Sequence, residues 1–209
     1  MRVLFALLFL TPLAHAADAP SWPADKEGRL AALAVVETLN AEILAGRSAT
    51  LVLEKWCLDH GLSGSAEAKI VAQAVKGADK PIGAEQRQRL QISADEPVRF
   101  RHVRLTCGDK ILSEADNWYV PSRLTPEMNR QLDETDTPFG KVVRALEPYR
   151  QTFFTTMLWH PLPDSAGTRL DLPDGLFEHK AVLFSKDHLP FSEVDEVYQR
   201  HLLDFPPPR

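Results

Sequence analysis

Long apolar runs are nearly missing from this chain of 209 residues. The one at the start, residues 3–10, is too short to cross a bilayer as a stable helix. A basic excess is missing too. Lys and Arg total 24 against 29 Asp and Glu, a net charge of −5, which argues against general nucleic-acid binding. Histidines at 60, 102, 160, 179, 188 and 201 show no metal-ligand spacing, so no metal is expected. There is no glycine-rich phosphate loop and no nucleophile elbow, and no cofactor is expected. Internal repeats are absent, and so is a recognisable helix-turn-helix.

What is present suits one compact domain with a real core. Residues 1–16 read as a secretory signal. Arg2 supplies the positive start, residues 3–10 the apolar run, and Ala14-His15-Ala16 a small-x-small cleavage site. The mature chain is expected to start at Ala17, in a periplasm or outside the cell, with no lipid or membrane anchor. One domain is expected over residues 17–205, followed by an extended tail at Pro206-Pro207-Pro208. The two cysteines, Cys57 and Cys107, are either a disulfide in an oxidising compartment or two buried thiols packing as small hydrophobes.

Helical spacing of Leu30, Leu33, Val36 and Leu39 predicts a helix over residues 25–44, stopped by Gly46. Ser48 or Thr50 caps a second helix to about Asp59. Residues 69–75 alternate weakly and suit a strand or a helix. Residues 77–88 form a polar connector. Strand-like segments follow at residues 149–159, 177–184 and 189–198. Helices first and paired strands afterwards predict an α+β fold with an antiparallel sheet of about six strands and N-terminal helices.

Residues 99–140 are the most organised stretch. Residues 98–107 and 111–120 are two strands around a Gly108-Asp109-Lys110 turn. Pro121 ends the second strand, because proline has no N–H for a sheet ladder. Thr125-Pro126 starts a short helix with Thr125 as N-cap, and Thr137-Pro138 starts another in the same way, before Phe139-Gly140.

This order of parts resembles chorismate lyase, which splits chorismate into 4-hydroxybenzoate and pyruvate. The residues that carry the likeness are Cys107 to Asp109, Val120-Pro121 and Thr137-Pro138-Phe139-Gly140. The plan also makes residues 69–75 a strand. The resemblance implies an arginine on the first hairpin strand, backbone donors at the Thr-Pro turn and a carboxylate on the last strand. Residue by residue the match is incomplete. His102 stands where the family has its arginine. Arg104 is the nearest replacement on the same strand face, and Arg101 lies on the other. Counting from Pro190 lands on Asp195, with Glu193 on its face and Glu196 on the opposite one. The resemblance thus implies Arg104, Glu193 and Asp195 as catalytic groups, and Arg101, His102, Phe139, Gly140 and Glu196 as ligand contacts.

The polar-aromatic run Ser113-Glu114-Ala115-Asp116-Asn117-Trp118-Tyr119 is not part of that resemblance. It presents Glu114, Asp116 and Trp118 on one face, and Ser113, Ala115, Asn117 and Tyr119 on the other. The expectation is a monomer that takes a small-molecule carboxylate and no nucleic acid. The resemblance implies first the cleavage of chorismate to 4-hydroxybenzoate and pyruvate, or a close relative of that reaction. The alternative is a periplasmic protein that binds a small aromatic carboxylate without catalysis, and a third reading is an interaction protein whose pocket its own side chains fill.

Overall fold

A computed structural model describes residues 21–65, 69–77, 79–161 and 167–208. The leader-like segment, residues 1–16, lies outside them. Among the described residues no helix is long and apolar enough to cross a membrane.

The chain opens with helix α1 (Lys26–Ala45). Asp25 caps it, its Oδ1 accepting the Gly28 N–H at 2.7 Å. Gly46 ends it by donating to the Ile43 carbonyl. Helix α2 (Ala49–Asp59) follows at once. Ser48 holds the N-cap position, yet its side chain makes no capping bond.

Strand β1 (Ile70–Ala74) comes next, then helix α3 (Ala84–Arg89). The segment read as a plain connector therefore contains a helical turn. Its residues are good helix formers, and Gln86 Oε1 accepts the Gly83 N–H at 2.8 Å. The hairpin is strands β2 (Arg99–Cys107) and β3 (Lys110–Tyr119), turning at Gly108 with φ of 60°.

Helix α4 (Pro126–Glu134) begins as expected, with Thr125 Oγ1 accepting the Met128 N–H at 3.1 Å. Helix α5 (Phe139–Val142) does not begin in that way. Pro138, not Thr137, is its N-cap, and Thr137 bonds to Thr135 instead. Strands β4 (Tyr149–Met157), β5 (Gly175–Phe184) and β6 (Pro190–Gln199) complete the fold.

Among the described residues six strands form one antiparallel sheet in the order β1-β2-β3-β6-β5-β4. The fold is α+β, with the helices first and the sheet after. Register decides which side chains share a face. Arg101 faces Asn117, Val103 faces Ala115, Ala115 faces Glu196, Asn117 faces Val194, and Leu183 faces Arg150. That face carries the main core. Helices α1 and α2 bring Val36, Leu39, Ile43, Leu53 and Trp56 onto Val103, Leu105, Ala115 and Tyr198. Helices α4 and α5 bring Met128, Leu132 and Phe139 onto Tyr119 and Phe191. Each buried side chain of this size contributes about 1.5–3 kcal/mol. The opposite face is covered in part by Ile82, Leu90 and Ile92, which pack on Val120, Val182 and Phe184.

Cys57 and Cys107 are joined as a disulfide, with Cα atoms 6.3 Å apart and a sequence separation of 50. The bond ties the end of α2 to the end of β2. Both residues are fully buried. Closing a loop of that length removes unfolded-state entropy worth about 4 kcal/mol. The double variant Cys57→Ser/Cys107→Ser is expected to lose about 2–4 kcal/mol of unfolding free energy. Urea denaturation of the variant against the wild type, with and without reductant, measures it. Reductant is expected to move only the wild type.

Candidate functional site

Where the two helical groups part, the sheet floor is left uncovered and a cavity of about 50 Å³ remains. Its floor is Arg101, Val103, Ala115, Asn117, Val194 and Glu196. Its rim is the start of α2 (Ser48, Ala49, Thr50), the start of α5 (Phe139, Gly140), and Arg150 with Pro148. Gly140 is needed for this closeness. A Cβ there would stand 2.8 Å from Ser48 Oγ and 3.1 Å from Thr50 Oγ1.

The polar groups are mostly donors without partners. The Arg101 side chain makes no hydrogen bond or ion pair among the described residues. Burial pulls its pKa below the ordinary guanidinium value, while Tyr119, Asp133 and Asp136 work the other way. Ser48 Oγ is buried and unbonded. The first N–H groups of α2 have no carbonyl four residues back, and the helix dipole adds positive potential there. Asn117 Oδ1 accepts from Ser192 Oγ at 2.8 Å, which leaves its NH₂ group to donate elsewhere.

Arg150 and Glu196 form the buried centre. Their side chains are 4% and 8% exposed, and Arg150 Nη1 donates to Glu196 Oε2 at 2.6 Å. Tyr198 donates to the same oxygen at 3.1 Å. Burial opposes the arginine's charge, but Glu196 and Tyr198 outweigh it and hold its pKa above the ordinary value. Its Nη2 is buried with no partner. An orphaned guanidinium N–H costs more than an ordinary unmade bond, so the site favours an acceptor there.

Behind this pair stands His179, opposite Glu196 in the sheet. It is fully buried and its Nε2 lies 2.7 Å from Asn40 Oδ1, so Nε2 carries the proton and donates. Burial first, and then the charge of Arg150, lower its pKa to about 4.

The residues expected from sequence divide between the two sheet faces. Arg101, Phe139, Gly140 and Glu196 line the cavity. Arg104 does not. It lies on the opposite face, half exposed, with Nε donating to Glu114 at 2.6 Å. His102 is on that face too, its Nδ1 2.7 Å from Asp116 Oδ1, and Lys80 pairs with the same carboxylate. Glu193 is held there by two bonds from Arg89, each 2.9 Å, and Asp195 by Lys180 at 2.9 Å. Burial raises the pKa of Asp195, partly offset by Lys180. Strand alternation is the reason: the helices cover the 101-103-105 face of β2, and the even-numbered residues point away from it. Trp118 shares that far face, buried, its Nε1 donating to the Lys80 carbonyl at 2.9 Å.

Sequence reasoning missed Arg150 and the start of α2. Arg150 is a lone charge in an otherwise apolar and threonine-rich strand, and that was the available signal. Among the described residues no three His, Cys, Asp or Glu side chains are grouped to hold a metal.

No model of a known protein family matches the chain. The uncharacterized protein y4mC of Sinorhizobium fredii is 46% identical to it over an aligned length of 219 residues, covering 99% of this chain and 92% of that protein. Among solved structures, PhnF from Mycobacterium smegmatis superposes with a TM-score of 0.49 at 13% identity, over 90% of each chain. YydK from Bacillus subtilis, described as a possible transcriptional regulator, gives 0.43 at 15% identity. That match spans 65% of this chain and 60% of YydK. The expected membership of the chorismate lyase family is corrected: the relative that matches the chain is y4mC, and the similar solved structures include PhnF and YydK and no chorismate lyase.

The buried imidazole predicts a pH dependence. Above about pH 6.5 both the folded and the unfolded imidazole are neutral, and His179 contributes nothing to it. Between 6.5 and about 4 only the unfolded chain takes the proton, so stability falls with pH across that window. The loss amounts to ~3 kcal/mol. Denaturation at neutral pH and near the lower bound, for wild type and His179→Gln, is expected to show this part of the loss in the wild type alone.

Proposed function

The chain belongs to the family of the uncharacterized Sinorhizobium fredii protein y4mC, and for a member with this cavity we propose a function in binding a small organic carboxylate without transforming it. One observation carries the reading: Arg101, a desolvated guanidinium whose side chain has no hydrogen-bond or ion-pair partner among the described residues, borders the same small cavity as Arg150, whose buried Nη2 is unbonded. An anion there would receive charge-assisted hydrogen bonds from both arginines, and further donors from Ser48, Asn117 and the first turn of α2.

The volume sets the part of the ligand that enters. About 50 Å³ is well short of the ~150 Å³ of an apolar cavity that accepts benzene. A carboxylate group fits inside, and the body of the ligand stays toward the mouth. Binding without turnover follows from the chemistry on offer. Among the described residues lining the cavity, Glu196 is the one carboxylate, and it is engaged by Arg150 and Tyr198. His179, behind Glu196, is not among the residues that line the cavity. The Cys57–Cys107 bond supports placing this function in an oxidising compartment such as a periplasm.

Titration calorimetry of the purified protein with butyrate and with benzoate tests the reading. One-to-one binding is expected. Arg101→Ala is expected to weaken it by roughly thirtyfold or more, the cost of losing one partner of a desolvated charge pair. Absence of binding by both acids, or equal binding by Arg101→Ala, would remove the reading.

A further inference from the structure

Next to the cavity lies an outer groove of about 300 Å³. The two spaces share Arg47, Ser48, Gly140 and Pro148, so they lie side by side against one wall. The groove adds Leu51, Arg144 and Glu147. Arg47 directly precedes the N-cap of α2. Arg144 lies on the 3-10 turn Val143–Leu146 that follows α5. Two separate segments therefore bring an arginine each to the same groove.

An exposed arginine ordinarily needs no explanation, since it is solvated or loosely paired. The distribution here is uneven. Exposed arginines elsewhere have partners: Arg99 holds Asp133, Arg104 holds Glu114, and Arg130 holds Glu127. Among the described residues, three arginine side chains have no hydrogen bond or ion pair, namely those of Arg47, Arg101 and Arg144. All three line these two adjoining spaces, Arg101 the inner cavity and Arg144 the outer groove. The groove's carboxylate, Glu147, is 3.3 Å from Lys186, so a cation outside the groove already faces it. Leu51, 45% exposed, and Pro148 give the groove apolar lining.

From this arrangement we infer that the two spaces together take an organic dianion, one acid group at Arg101 in the inner cavity and a second, separate one at Arg47 and Arg144 in the groove, joined by an apolar spacer over Leu51 and Pro148. The inference rests on the inner cavity being a carboxylate site and names the class of ligand for it. The outer pair is solvent-facing, so the second acid contributes less than the first. It selects among carboxylates by length and charge and does not provide the main affinity.

Calorimetry with straight-chain dicarboxylates from succinate to sebacate, each against the monocarboxylate of equal length, tests the inference. The expected result is a preference for the dicarboxylate that peaks at one chain length. Arg144→Ala is expected to cut that preference roughly fivefold, the size of one exposed ion pair, and Arg144→Glu to reverse it. Both variants change an exposed side chain outside the core, so they should fold as the wild type does. Two results would overturn the inference and leave the inner site standing. One is a monocarboxylate bound as tightly as its dicarboxylate at every length. The other is a preference that Arg144→Glu does not change. Should Arg101→Ala bind both series as the wild type does, the inner site and the inference would fall together.

Discussion

Pairing between β3 and β6 joins the two halves of the sheet. Ala115 sits against Glu196 and Asn117 against Val194, although the helices α4 and α5 and two further strands come between them in the chain. On one side β3 carries β2 and β1, and on the other β6 carries β5 and β4. Without this contact Arg101 and Arg150 would belong to separate hairpins. With it, they border the same 50 Å³. The pairing also commits each strand to one parity, so the odd residues of β2 and β3 and, from Ser192 on, the even residues of β6 lie on the face the helices cover.

The cavity is the remainder of that covering. Helices α1 and α2 pack over one half of the face, and α4 and α5 over another part of it. The gap is small because Gly140 lets the start of α5 approach the start of α2. The disulfide bears on the same gap from a distance: α2 contributes Ser48 and Thr50 at one end and Cys57 near the other, while β2 contributes Arg101 and ends in Cys107. A cross-link between the far ends of these two elements restricts how their near ends can move apart.

Electrostatically the site is unbalanced. Burying an ion pair is tolerable when geometry and additional bonds compensate its desolvation. Arg150 and Glu196 meet that condition only in part, because Tyr198 completes the carboxylate while Nη2 of the arginine stays unbonded. Arg101 adds a second cation with no carboxylate to meet it. An anion entering the cleft would satisfy groups that are already dehydrated and already positioned, which is the condition under which a charged hydrogen bond contributes most.

Much of the fold was legible in residues that act locally. Thr125 caps a helix, Gly108 turns a hairpin, and Pro121 ends a strand, all through effects that reach only a few residues. The second Thr-Pro failed as a guide because Thr137 found Thr135 closer than the helix start. The α3 turn was hidden in a polar stretch because its stabilisation comes from Gln86 and from contacts made by Arg89 with distant β6. The site divided along the same line. Alternation already separated Arg101 from Arg104 and Glu196 from Asp195, so the two candidate faces were known before the fold. Which face the helices would cover was decided by packing, since α1 and α2 could be placed only once the sheet had an apolar side to receive them. By itself, then, the sequence determined the elements, their caps and the grouping of side chains by face, because these depend on neighbours along the chain. Tertiary structure alone decided that Arg101, Arg150 and Ser48 meet around one cavity, because only the β3–β6 register and the seat of α2 bring residues so far apart in sequence within reach of a single ligand.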